Sequence, residues 1–422
     1  MKKCRTNLYI GLIIFLFPVI LCCHNAGRSD LKSTNMSTSF NQGTFGYDAE
    51  FLTNHNVATV ILKDPESDAC VLIAPGLQGR VMTSSAGGDS GLSYGWINYR
   101  LFDSAANDQF NPYGGEERLW LGPEGGPFSI YFKKGTTQVF ANWKVPAELD
   151  TKEFEIVKQE TGSIMFEKNF TLENYSGTPL NIGIERTVRI LSRDEIQKSL
   201  GLGSIEQVKM VAYQSENALI NTGNINWNKE NGFLSIWMLS MFNPSEKGVV
   251  FIPFIPGSEK ELGKKVNDDY FGAVPSDRLK VGDNILYFKV DGKFRSKIGI
   301  SPSRALPYAG SYDPENKVLT ILWYSRPDEV SEYVNSKWGG QDNPLKGDVI
   351  NSYNDGPVDD GSIMGPFYEI ESSSPAALLN AGDTIRHIQR VFHLTGTEEQ
   401  LDPITKSVFG ISLDQIKSSF NN

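Results

Sequence analysis

The sequence predicts an all-β protein, one large antiparallel two-sheet sandwich with few short helices. Three observations predict it. From about residue 47 onward, short apolar or alternating runs recur, rich in the β-branched and aromatic residues that strands prefer. Turn-forming clusters separate the runs, among them Asn174-Tyr-Ser-Gly, Asp291-Gly, Asp313-Pro-Glu-Asn and Asn380-Ala-Gly-Asp. Gly (40) and Pro (21) exceed their combined average of roughly 12%, which excludes a helical bundle or coiled coil.

The chain opens on an address. Lys2, Lys3 and Arg5 precede an apolar run over residues 8–21, too short to span a bilayer comfortably and suited to the core of a secretory signal. Cys22 and Cys23 follow, an arrangement that resembles a bacterial lipoprotein signal, with Cys23 the favoured site of lipidation and residues 1–23 the leader. A lipid there would anchor the protein in the cell envelope, at the periplasmic or outer-membrane surface. Residues 24–46, rich in Ser, Thr, Asn and Gly, suit a flexible tether. Residues 47–422 then form a single domain without an internal linker or repeat.

Within that domain, strands are expected over 57–62, 69–74, 128–132, 163–170, 180–190, 248–255, 284–290, 318–324, 367–371 and 384–394. Short helices are expected over 192–200, capped by Ser192 or Asp194, over 327–334 with Pro327 in the first turn, and over 413–420. Hydrophobic residues at 40% and aromatics at 11% suffice for a core of this kind.

Charge and motif content narrow the function. A net charge of -10 disfavours nucleic acid, whose phosphates call for an excess of Lys and Arg. With the leader removed the charge is more negative still, so an anionic membrane would be held by lipid alone. Cys70 is then the one remaining cysteine, in an apolar run, and no internal disulfide is expected. Walker, HExxH, CxxC and nucleophile-elbow patterns are absent. Outside the tether only His55, His387 and His393 remain, thin for a zinc site, so no metal is assigned. Around Gln341, Asp342, Asn343 and Asp348 the loop could form turns or a calcium site, turns being the commoner use.

Three segments carry the functional signal. In residues 114–132 (GGEERLWLGPEGGPFSIYF), a strand over 116–121 would place Glu116, Arg118 and Trp120 on one face. An indole takes the C–H surface of a sugar, and carboxylates and guanidinium, with Glu124 close by, take its hydroxyls. An Arg stacked on Trp in a structural corner explains the same residues. Residues 335–357 form a long polar loop with Trp338, Gln341, Asp342, Asn343, Asn351 and Tyr353, suited to hydroxyl binding or to an ordered surface loop. Finally, 365–375 and 381–394 suggest an antiparallel pair. Phe367, Glu369 and Glu371 share one face of the first, and His387, Gln389 and His393 one face of the second. If those faces coincide, carboxylate and imidazole supply a base and an acid; if not, they are salt-bridging charges on a solvated face.

These segments resemble the galactose mutarotase-like (aldose 1-epimerase-like) superfamily, over roughly residues 55–395. GGEERLW…PEGGP resembles its glycine-rich sugar segment, and YEIESSSPAALLNAGDTIRHIQRVFHL its closing hairpin. The resemblance implies a β-supersandwich with a carbohydrate on its concave face; apart from the calcium alternative above, no cofactor is expected. It also implies a catalytic base at Glu371, with Glu369 the alternative, and a sugar-binding role for Arg118. The superfamily's mid-chain acid, a His, has no counterpart between His55 and His387, which leaves His387 or His393 to take the part. Two functions follow: an envelope lipoprotein acting on a sugar by Glu-based chemistry, or a non-catalytic glycan-binding lipoprotein.

Overall fold

The computed structural model describes residues 39–420 apart from 204, 206 and 359. The leader, Cys23 and most of the tether lie outside the described residues. A helix, Phe45–Asn54, begins two residues before the expected start of the domain, capped by Thr44 and burying Phe45 and Leu52 against the first strands.

Antiparallel strands form three sheets. The largest has ten strands, in spatial order Leu279–Val281, Ile285–Lys289, Val249–Pro253, Tyr308–Asp313, Val318–Tyr324, Thr384–Thr395, Lys209–Asn221, Pro179–Ile190, Ser163–Glu173 and Glu155–Glu160. The second has five: Ser296–Ile300, Ile350–Asn354, Tyr368–Ser373, Ser235–Phe242 and Arg118–Gly122. A three-stranded sheet (Val60–Lys63, Cys70–Ala74, Arg80–Ser85) meets the edge of the five-stranded one through a Val81–Glu117 bridge.

The ten- and five-stranded sheets stack face to face. Ile236, Met238 and Ile370 of the smaller sheet share one apolar core with Ile182, Leu322 and Val391 of the larger. The outer face of the large sheet is covered by helices Arg193–Leu200, Glu398–Phe409 and Leu413–Ser418, around Phe251, Leu319 and Phe392. Each helix starts on a capping box, Ser192 with Glu195, Thr397 with Gln400 and Ser412 with Gln415, which satisfies amides at a helix start that otherwise lack acceptors.

Four expected elements differ. Within the expected loop over 335–357, Ile350–Asn354 is a fully buried strand of the five-stranded sheet, because its side chains are covered on both faces. Residues 128–132 are turns rather than a strand, and Tyr131 plugs the core with its hydroxyl donating to the Leu121 carbonyl at 2.9 Å. Residues 327–334 run without helix, because Tyr333 and Val334 must reach the interior while the Glu332 carbonyl accepts from the Ala376 amide. Most consequentially, Tyr368–Ser373 and Thr384–Thr395 are not a hairpin. The first pairs with Ile350–Asn354 and Ser235–Phe242; the second pairs with Val318–Tyr324 and Lys209–Asn221. The chain crosses from one sheet to the other between them.

Candidate functional site

That crossing sends the Glu and His residues to different places. Side chains alternate along Tyr368–Ser373. Ile370 and Ser372 point into the layer between the sheets, where Ser372 Oγ lies 2.8 Å from His387 Nε2 and donates to Gln389 Oε1 at 2.7 Å. Glu369 and Glu371 therefore point the other way, onto the outer face of the five-stranded sheet.

Register fills that face from neighbouring strands. Glu371 sits between Leu239 and Asn351, Glu369 between Met241 and Tyr353, and Lys297 is opposite Tyr353. Arg118 and Trp120 complete the row opposite Leu239 and Trp237. The contacts are dense. Glu371 Oε2 accepts from Trp237 Nε1 at 2.8 Å and from Lys297 Nζ at 2.7 Å. Arg118 Nη2 donates to Glu369 Oε1 at 3.2 Å, and its guanidinium lies 4.2 Å from the Trp120 ring centroid. Lys297 is also 5.1 Å from the Trp237 ring and 5.5 Å from the Tyr270 ring.

A polar sheet face normally faces water. This one does not: Arg118, Glu369 and Glu371 are buried, as are all residues of Arg118–Gly122, Ser235–Phe242 and Ile350–Asn354. Loops roof it. Tyr270 donates to Asp348 Oδ2 and accepts from Asn351 Nδ2 at 3.0 Å, while Asn267 Nδ2 donates to Asp348 Oδ1 at 2.7 Å. Gly299 admits this arrangement, because a Cβ there would collide with Asp348 and Asn351. On the other side Trp338 packs its ring on Phe132, with 5.1 Å between centroids.

Burial sets the electrostatics. It raises the Glu369 carboxyl to about 8, against the pull of Arg118 and with a further push from the Glu371 charge. The shift favours the protonated form of Glu369. Burial likewise raises Glu124 to about 7, opposed by Lys297 and a hydrogen bond from Trp338. Burial alone would lower Lys297, but Glu371 and the other carboxylates outweigh it and raise the ammonium above its ordinary value.

Several polar atoms of this face are buried without a hydrogen-bond partner among the described residues: Arg118 Nε and Nη1, Trp120 Nε1 and Glu371 Oε1. Such atoms cost about 1–3 kcal/mol each when left unpaired, more when charged.

A family model described as a family of unknown function (DUF6786) matches residues 43–420. The chain belongs to that family. A comparison with curated proteins finds no match. Among solved structures, the chain is similar to a galactose mutarotase-like protein from Lactobacillus casei, at 11% identity and a TM-score of 0.45, covering 80% of this chain and 100% of that one. It is also similar to a galactose mutarotase related enzyme from Lactobacillus acidophilus, at 10% identity and a TM-score of 0.43, covering 80% and 97%. The chemistry of the DUF6786 site rests on its own residues.

Against the sequence expectations, the face of this DUF6786 chain gathers Glu369, Glu371, Arg118, Trp120, Asn351 and Tyr353, with Glu124 and Trp338 at its rim. Glu116 is not among them. A bend at residue 116 breaks the alternation, and Glu116 turns into the inter-sheet layer, where it lies 2.9 Å from His393 Nε2 and accepts from Ser84 Oγ at 2.8 Å. Glu117 enters the same layer, paired with Arg186 at 2.8 Å and with Gln389 at 2.7 Å. His393 is further held by Thr320 at 2.9 Å and stacked on Tyr94. His387 is lowered to about 3 by burial, so it stays neutral at ordinary pH. Neither histidine shares a face with the glutamates, so neither can serve as their acid.

The loop residues divide too. Gln341 Nε2 donates to the Asn335 and Lys337 carbonyls at 2.9 and 2.6 Å, closing its own loop. Asp342 and Asn343 are exposed, and Asn343 Oδ1 accepts from the Leu345 amide in a turn. Asp348 is committed to Asn267 and Tyr270. Among the described residues no group of three or more His, Cys, Asp or Glu is arranged to hold a metal ion. Sequence reasoning missed Lys297, Trp237 and Tyr270. Lys297 had a faint signal, a lone charge alternating with Ile298 and Ile300; Trp237, inside an unbroken apolar run, had none.

Proposed function

We propose that the outer face of the five-stranded sheet is a carbohydrate site at which Glu371 and Glu369 act as a base and acid on a sugar. The observation that carries this reading is the set of buried, unpartnered polar atoms on Arg118, Trp120 and Glu371, set among indole rings. Sugar hydroxyls both donate and accept, so they pair with the Trp120 and Arg118 N–H groups and with Glu371 Oε1 at once. Indole faces take the C–H side of the ring.

The two carboxyls differ in state. Glu371 is held by Lys297 and Trp237 and is suited to accept a proton from a hydroxyl. Burial and the neighbouring Glu371 favour the protonated form of Glu369, which is suited to donate one. That division supplies an acid without a histidine. A proton taken at one sugar oxygen and given at another opens and recloses a pyranose, the chemistry the sequence resemblance implies.

Polarimetry and calorimetry of the purified protein against common aldoses test this. Glu371→Gln should abolish accelerated mutarotation and spare much of the binding. Turnover that survives Glu371→Gln refutes the assignment of the base. A second reading, non-catalytic glycan binding, is favoured by both late histidines lying behind the sheet; binding heat without optical change would select it. In either case acylation at Cys23 would tether the domain to the cell envelope, and incorporation of labelled palmitate that disappears in Cys23→Ser would test it.

A further inference from the structure

A ladder of aromatic rings leaves this face and ends in solvent. Ring centroids of Trp237 and Trp120 are 5.6 Å apart, those of Trp120 and Trp143 6.4 Å, and those of Trp143 and Phe140 6.0 Å. The first three side chains are buried. Phe140 is 66% exposed, although its ring lies within 19° of parallel to the Trp143 indole. One aromatic face thus rests on the ladder and most of the ring is open.

The turn that carries Phe140 is fixed in place. Gln109 Nε2 donates to the Phe140 and Trp143 carbonyls at 2.6 and 2.9 Å. Gln138 Oε1 accepts from the Gly126 amide at 2.8 Å and from the Gly339 amide at 2.7 Å, tying the turn to the glycine-rich segment and to the Trp338 loop. Gly126 permits this approach, since a Cβ there would strike Gln341. The open side of the ring gains nothing for folding, and a turn held in place lowers the entropy that a ligand would otherwise have to remove.

We infer that Phe140 is the outer platform of an extended site, and that the ligand is an oligosaccharide or the end of a polysaccharide chain rather than a free monosaccharide. The inference rests on the carbohydrate reading of the face. One sugar unit occupies the floor between Arg118 and Glu371. Later units leave the floor and stack on the open side of Phe140, the one ring of the ladder that is exposed. The open side of Phe140 suits the face of a further pyranose, whereas a single unit needs the floor alone.

Calorimetry decides it with glucose, galactose, mannose and xylose and the linear di-, tri- and tetrasaccharides of each. Affinity for the matching series should rise with chain length. Phe140→Ala should remove about threefold to tenfold of that rise, the worth of one aromatic contact, and leave monosaccharide affinity unchanged. Phe140→Tyr should keep it. Equal affinity for monosaccharide and oligosaccharide, or an equal loss for both in Phe140→Ala, overturns the extended site and leaves the floor standing. Absence of binding across the whole series overturns the carbohydrate reading and the extension with it.

Discussion

Lys297 offers the sharpest perturbation. Its ammonium is 2.7 Å from Glu371 Oε2, and the two side chains are 14% and 1% exposed. Lys297→Met keeps the stem and its packing against Trp237 but strands the Glu371 charge. Breaking a buried pair in this way costs about 3–5 kcal/mol, a hundredfold or more in the ratio of folded to unfolded protein. The double variant Lys297→Met/Glu371→Gln removes both charges and keeps an acceptor for Trp237 Nε1. Its loss should be well below that of Lys297→Met alone, because no buried charge is left unpaired. Urea unfolding at pH 7 measures both, provided the slope of free energy against urea is unchanged. The cycle should give a coupling of at least about 2 kcal/mol. A Lys297→Met loss below about 1 kcal/mol, or additive effects, would show that the Glu371 carboxylate does not depend on this partner.

Four further outcomes follow from the same geometry. Turnover that needs the Glu369 proton should fall as pH rises through about 8, and Glu369→Gln, with no proton to donate, should lose turnover across the pH range while sugar binding persists. The same carboxyl should weaken folding between about pH 4.5 and 8, because the folded state keeps a proton that the unfolded state has released; a flat difference between wild type and Glu369→Gln across that window would contradict it. For His387 the sign reverses. Its folded value of about 3 lies below the ordinary 6.5, so stability is lost as pH falls between those values, and pH-dependent unfolding of His387→Gln should lose that component while sugar binding persists. Gly299→Ala should push Asp348 and Asn351 apart and cost about 1–3 kcal/mol, visible as a lowered urea midpoint.

What the sequence disclosed depended on how many faces of each strand are covered. Pro179–Ile190 alternates buried and partly exposed residues along much of its length, and its pattern is plain in the sequence. Ser235–Phe242 is buried on both faces, so its apolar run has no period, and Trp237 passes for core. The helix Glu398–Phe409 went unseen although its buried residues recur at helical spacing, with Pro403 in its interior. Alternation correctly set Glu369 and Glu371 on one face. It could not tell which sheet the next strand joins, and that long-range pairing sends His387 and His393 behind the site instead of into it. Glu116 fails for a local reason, a bend that breaks the period of two before Arg118. The polar face itself was legible; that loops bury it was not, since roofing by Tyr270 and Trp338 comes from segments remote in the chain.

The most direct measurement is a crystal structure of the protein with the tightest-binding saccharide of the calorimetric series. A sugar ring against Trp120 and Trp237, with its hydroxyls within hydrogen-bond distance of Trp120 Nε1, Arg118 Nη1 and Glu371 Oε1, is the predicted result. A saccharide bound elsewhere, with those atoms still unpartnered, would contradict the account.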